Sequence, residues 1–299
     1  FYLQDRVNDV HWLHNESLFA VAQQKYVYIY DNTGLEVHQL KKHLEVTRME
    51  FLNFHFLLAT VGKSGFLRYH DTSTGELVAE LRTKLGLCSV MAQNQQNAIV
   101  HLGHSKGTVT MWAPKVQEPL VKMLCHRGPV SGIAINRTGQ YMATTGLDGM
   151  VKVWDLRNNY QPVHHYRTAR PARCISFSQR DLLAIGSGPH LTVWKDLHLS
   201  SVQSTPYLYH LIEGAQIDDL QFCPFEDSVA AGTTKGITSL IIPGAGDPNI
   251  DSLHFNPFQT KKQRQEAEVK SLLEKLQPEM ISLDHSYFGR VKPTENKSE

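Results

Sequence analysis

From Pro129 to Asp155 the chain reads P-V-S-G-I-A-I-N-R-T-G-Q-Y-M-A-T-T-G-L-D-G-M-V-K-V-W-D, with alternating apolar and polar runs on either side of a small-residue run. A period of two sends successive side chains to opposite faces of a strand. The polar cluster N-R-T-G-Q and the D-G pair separate the runs. The segment therefore predicts three antiparallel strands joined by two hairpins.

The unit recurs along the chain. With Trp154 as the marker, equivalent places fall at Tyr30, His70, Trp112, Trp194 and Ile241, at intervals of 40, 42, 42, 40 and 47 residues in order. That spacing suits propeller blades, which repeat every ~40–45 residues. Short apolar runs at 76–81, 119–124 and 206–211 suit a fourth, outer strand. Phe1 to Asp5 reads as the outer strand of a unit before the first. No long amphipathic helix appears before residue 258, which disfavours a parallel α/β sheet. The expected fold is all-β: a propeller over residues 1–243 with seven blades, six visible plus part of one. The remainder, 244–299, is a C-terminal extension with a helix at about 260–277 and an extended tail.

The G-H-S-K-G of residues 103–107 matches the nucleophile elbow of serine hydrolases, whose serine sits between a strand and a helix. Here Gly107 aligns with Gly149, and T-V-T-M-W follows as an alternating strand. Ser105 is therefore expected in a hairpin turn, and no catalytic residue is proposed. His101 and His104 form an H-x-x-H, but in a strand they lie on opposite faces with no third ligand near, so no metal site is expected.

Thirty Lys and Arg against twenty-nine Asp and Glu give a formal charge of +1. Bulk charge thus gives no argument for a nucleic-acid or membrane partner, and any such contact must be met locally. The cysteines at 88, 125, 174 and 223 form no C-x-x-C pair and read as buried, reduced thiols, favouring an intracellular setting. An opening Phe1 rather than Met reads as a fragment of a longer protein.

After residue 243 the texture changes to Gly, Pro and Asn. Thr260 and Gln263 then form a capping box, Val269, Leu272, Leu273 and Leu276 form a helical stripe, and Pro278 stops it. Lys261, Lys262 and Arg264 cluster in the first turn, where the helix dipole disfavours cations unless an anion is near. With Lys270, Arg290 and Lys292 they are the candidate RNA or partner contacts. Beyond Pro278 the anchors Met280, Ile281, Leu283, Tyr287 and Phe288 are too sparse for a core and are expected to order by docking on partners.

The repeat resembles the WD repeat. In the best copy His126, Thr144 or Thr145, Asp148 and Trp154 match that family's buried hydrogen-bond tetrad, a structural role. Other copies depart from it: Lys106 and Lys235 replace the Asp, and His70 and Tyr30 replace the Trp. The run from Pro243 to Pro278, with H-L-G-H-S-K-G-T-V-T-M-W and L-Q-F-C-P-F-E-D, resembles the nucleolar WD-repeat family of the small-subunit processome, associated with U-three small nucleolar RNA. That resemblance implies a nonenzymatic scaffold in the nucleolus, required in the 90S pre-ribosome for pre-rRNA processing and 18S rRNA maturation. Implied partners are other processome proteins, pre-18S rRNA and U-three RNA, with no cofactor and no membrane. An alternative is a substrate receptor of a cullin-type ubiquitin ligase, from W-D-x-R at Trp154 to Arg157.

Overall fold

A computed structural model of the chain describes residues 2, 3, 5–157, 160–197, 205–248, 256 and 258–283. Twenty-three strands form five four-stranded antiparallel sheets and one three-stranded sheet. Each sheet takes its strands in chain order from the innermost outward. The inner strands are Val7–Trp12, Val46–Leu52, Cys88–Gln93, Val130–Ile135, Cys174–Phe177 and Ile217–Phe222, and each lies beside the next. They open blades 1 to 6 of a β-propeller.

The markers keep one place in the register. Trp154 pairs with Met142, Trp112 with Val100, His70 with Leu58 and Trp194 with Leu183, each at the beginning of a second strand. The alternation read from sequence buries one side chain in two against the neighbouring blade. Leu57, Leu67 and Tyr69 of blade 2 thus share a core with Val90, Leu102 and Met111 of blade 3.

Hydrogen bonds spaced by about one repeat join the blades. Asn8 Nδ2 donates to the Val46 carbonyl (2.8 Å), Thr47 Oγ1 to Cys88 (3.0 Å), Ser89 Oγ to Val130 (3.3 Å) and Ser131 Oγ to Ala172 (2.5 Å). A polar side chain near the start of each of these four inner strands thereby satisfies a backbone acceptor toward the next blade.

Six blades are present among the described residues. No comparable contact joins Ile217–Phe222 to Val7–Trp12. Val10 and Trp12 on one side, and Ile237 and Ile241 on the other, are more than half exposed. Of the strand expected at Phe1–Asp5, residues 2, 3 and 5 lie outside any strand, and residues 1 and 4 lie outside the described residues. A lone segment without the rest of its blade has no ladder to join.

The helix spans Lys261–Leu273, shorter than the expected 260–277. Its capping box is formed, with Thr260 and Gln263 bonded reciprocally. It ends early because the next residues dock on blade 2. The Leu276 amide donates to the Phe54 carbonyl (2.9 Å), and Lys275 binds Asp71 and Ser73. None of the helix is buried, and Val269 and Leu273 of the apolar stripe are well exposed. Three of the four cysteines are buried; Cys223, expected inside, is exposed.

Candidate interaction surfaces

Antiparallel blades of four strands give the ring two faces. On the leading face each inner strand begins; it carries the turns between second and third strands and the crossings between blades. On the trailing face the inner strands end, with the other two turns of each blade.

In blade 4 the His126 ring bridges the leading face to the core. Its Nδ1–H donates to Asp148 (3.1 and 3.2 Å), and its Nε2 accepts from the Thr144 hydroxyl (2.9 Å), which accepts from Trp154 Nε1–H (2.9 Å). The assigned tautomer is the one that satisfies all four groups. Of the two threonines, Thr144 makes these bonds, while Thr145 bonds Ser131 (3.0 Å). Burial pulls the His126 pKa down against the opposing pull of Asp148. Burial would raise that of Asp148, but the Met150 amide and His126 outweigh it and hold the carboxyl low.

The degenerate copies are rewired. In blade 2 His43 Nδ1 meets Thr60 Oγ1 at 2.7 Å, with the His70 ring set edge-on 5.2 Å away where the Trp would stand. In blade 3 Thr110 Oγ1 joins His104 Nε2 (2.7 Å) and Trp112 Nε1 (2.8 Å), and His104 Nδ1 lies 3.3 Å from Cys88 Sγ. In blade 1 Gln23 donates to the Tyr30 hydroxyl at 2.7 Å.

Ser105 lies exposed in the turn between the second and third strands of blade 3, and the strand Thr108–Trp112 follows it directly. No helix N-terminus stands beside it, so the elbow context fails. His101 is buried and both its ring nitrogens lack a hydrogen bond of good geometry. Burial lowers its pKa to about 4, with the Ile99 carbonyl opposing weakly. Among the described residues no three metal-ligating side chains come together.

The extension crosses the trailing face from blade 1 toward blade 4. Arg264 pairs with Glu16 (3.4 Å), and Glu268 takes His14 (3.1 Å) and Asn15 (3.5 Å). Lys275 then binds Asp71, Ile281 enters the core (3% exposed), and Leu283 lines a cavity of about 460 Å³ between blades 3 and 4 with Asn94, Gln96 and Arg157. The helix is thus held by its polar residues, and the apolar stripe is left outward. Of the candidate contacts, Lys261 is exposed, while Lys262 and Lys270 are exposed with loose i,i+4 acid partners at 3.9 Å. Arg264 is committed to the propeller. Arg290, Lys292, Tyr287 and Phe288 lie outside the described residues.

Sequence reasoning expected Ile281 to dock on partners, and the structure docks it on its own propeller. Ile281→Asp should release residues 275–283 while the blades stay folded, because an unpaired carboxylate does not stay buried when its segment can leave. The readout is new tryptic cleavage at Lys275 with little change in the main unfolding transition. Continued protection would mean that the segment is held by its polar contacts alone.

Arg157 of the W-D-x-R stretch is exposed, but its guanidinium is held by Asp155 (2.8 and 3.1 Å) and the Tyr141 hydroxyl (3.0 Å). It stands beside Leu283 in the same cavity. A ligase adaptor at that edge would have to displace the extension.

Comparison with known proteins agrees with this architecture. A family model for the WD domain, G-beta repeat, matches residues 117–155, and one for the BING4CT (NUC141) domain matches 206–284. The second begins near the outer strand of blade 5 and covers blade 6 and the docked extension. A chain of a solved mitotic checkpoint complex superposes with a TM-score of 0.66 at 16% identity, over 80% of this chain and 78% of that one. This likeness shows the fold alone. In sequence, 97% of the chain is 49% identical to U3 small nucleolar RNA-associated protein 7 of Saccharomyces cerevisiae, covering 55% of that protein. The same share is 50% identical to human WD repeat-containing protein 46 (48% of its length) and 45% identical to the Caenorhabditis elegans protein of that name (49%). The chain spans about half the length of these curated relatives. Identity near one half along nearly all its residues, with the WD and BING4CT segments in place, makes this chain a member of the WD-repeat family that includes U3 small nucleolar RNA-associated protein 7 and WD repeat-containing protein 46.

Proposed function

We propose that the chain is the propeller-and-extension part of a nonenzymatic scaffold in the small-subunit processome, the 90S pre-ribosome, serving pre-rRNA processing and 18S rRNA maturation in the nucleolus. The observation that carries this reading is the 49% identity, over 97% of the chain, to a protein named for association with U3 small nucleolar RNA. The site geometry supports it: the one hydrolase-like motif lies in a turn without its helix, and the polar networks around His43, His104 and His126 are consumed in holding blades together. The proposed partners are other processome proteins, U3 RNA and pre-18S rRNA. The propeller serves as a rigid body, and the extension fixes the surface its trailing face presents. The apolar walls at Trp12 and Ile241 suit a seventh blade that closes the ring.

A tagged chain expressed in cells should co-purify U3 RNA and pre-18S rRNA. Deleting residues 258–299 should remove most of that RNA, because the trailing face loses its cover and the outward stripe together. Recovery of the intact chain without U3 RNA would overturn the processome reading. RNA recovery unchanged by the deletion would overturn the part given to the extension.

A further inference from the structure

The net charge of +1 conceals two faces of opposite sign. Four of the six turns between second and third strands carry an exposed lysine: Lys25, Lys63, Lys106 and Lys235. The crossings on the same leading face add Lys41, Lys42, Lys84, Arg127, Arg170 and Arg173, all exposed. The carboxylates in those connections are three: Glu45, Asp148 and Glu213. Among the described residues, Arg173 alone of the ten cations makes an ion pair, with Asp218 at 2.8 Å. From Lys41 to Arg127, an arc from the end of blade 1 to the start of blade 4, the connections carry six cations and one acid, Glu45, with Asp148 of blade 4 beside Arg127 at the end of the arc.

The trailing face has the opposite balance. Its turns contain seven acids, and the third strands of blades 1, 2 and 4 end there on Asp31, Asp71 and Asp155, against five cations. Two extension cations, Arg264 and Lys275, are already drawn onto it. The substitutions that make the copies poor WD repeats also build the leading face: Lys106 and Lys235 stand where blade 4 has Asp148, six residues before the marker. Each exchange deletes a tetrad acid and places an unpaired cation at the rim. The field reaches the core, where Lys42 and Arg68 add to burial and to His70 in keeping His43 neutral.

We infer that the leading face from Lys41 to Arg127 is a binding track for the phosphate backbone of RNA. Lys63 and Lys106 on short turns, with Lys41, Lys42 and Lys84 on the crossings between blades, make no ion pair among the described residues and present their charges to a polyanion laid across successive blades. Phosphate contacts of this kind position a strand without reading its bases. The described part of the extension, residues 258–283, lies off the track, with Arg264 and Lys275 held on the other side of the ring. The inference rests on the processome reading for the choice of RNA as the polyanion.

The test uses the full 299-residue chain and a fluorescein-labelled ~20-nucleotide single-stranded RNA, titrated across salt concentrations. Each phosphate contact to a single strand contributes about 0.7 to the slope of log K against log salt. Changing Lys63, Lys84 and Lys106 together to Gln should reduce that slope by about 2 and weaken binding on the order of 100-fold at ~0.1 M salt. The matched trailing-face change, Lys115, Arg180 and Lys195 to Gln, should leave both unchanged. An unaltered slope in the leading-face variant, with unfolding transitions matching the parent, overturns the track. Tighter binding of polyglutamate than of RNA overturns it in favour of an acidic protein partner. Co-purification of U3 RNA by the leading-face variant at parental levels, beside a lost slope in vitro, would separate the two readings: the processome place would stand, and the track would not be its anchor.

Discussion

Between pH 7.5 and 5.5 three buried histidines that charge on unfolding should by themselves cost the propeller about 4 kcal/mol of folding stability. His43, His101 and His104 are at most 1% exposed. Burial, aided at His43 by the His70 ring, Arg68 and Lys42 and at His104 by Lys122, holds their pKa values at about 3, about 4 and about 4. In the unfolded chain the same rings titrate near 6.5. A depressed histidine contributes stability that is whole above the unfolded value and drains away as pH falls from 6.5 toward the folded values. At pH 5.5 each costs roughly 1.4 kcal/mol. Urea unfolding at the two pH values checks this, and coincident curves would sink it. His101→Leu offers an internal control: it removes a ring whose nitrogens make no hydrogen bond of good geometry, so stability at neutral pH should hold and roughly 1.4 kcal/mol of the pH dependence should vanish.

Gly107→Ala is the substitution expected to do most damage. Gly107 closes the turn after Ser105 and Lys106 with φ at +77°, and an added Cβ would stand 2.0 Å from the His126 carbonyl oxygen and 2.8 Å from that of Gly128. The loop it strikes is the one whose Cys125 and His126 amides donate to the Gly107 carbonyl (3.0 Å each). The turn and the crossing cannot both keep their places, and any shift pulls His126 away from Asp148 and Thr144. A loss on the order of 4 kcal/mol is expected, in the range reserved for backbone collisions and broken buried networks. Gly75→Ala isolates the conformational part. Its φ of +76° is nearly the same, but nothing lies within 4 Å of the added Cβ, so it should cost only about 1 kcal/mol. Equal losses in the two variants would show that the close approach at Gly107 is relaxed in solution.

The glycine in G-H-S-K-G is thus read through its neighbours. From the motif alone it looked like part of a catalytic elbow; in the blade it is where a crossing passes over a turn. Aligning it with Gly149 was enough to place the turn, because a repeat period and strand alternation are local properties of the chain. The tetrad was legible for the same reason, down to a choice between Thr144 and Thr145 that needed the register: Thr144 pairs with Lys152 and Thr145 with Val151, one residue apart and on opposite faces.

The extension was legible in its local chemistry and obscure in its placement. The capping box at Thr260 and Gln263 needs only three residues of spacing, and it is formed. The helix end was misplaced because the stop comes from Phe54 and Asp71, some two hundred residues upstream, which capture Leu276 and Lys275. The candidate cations Lys261, Lys262 and Arg264 are adjacent in sequence, but only Arg264 turns toward the propeller.

By itself the sequence determined the blade unit, its period near 42 residues, three of the four side chains of the blade 4 network and the presence of a capped helix. All of these depend on interactions among residues close along the chain. Tertiary structure decided which face the extension covers, that Ile281 returns to the core, and that a chain of net charge +1 carries a basic face and an acidic one. Charge segregation of this kind follows from strand direction. Turns alternate between two faces along the chain, so cations and acids that interleave in sequence separate in space once each blade folds back on itself.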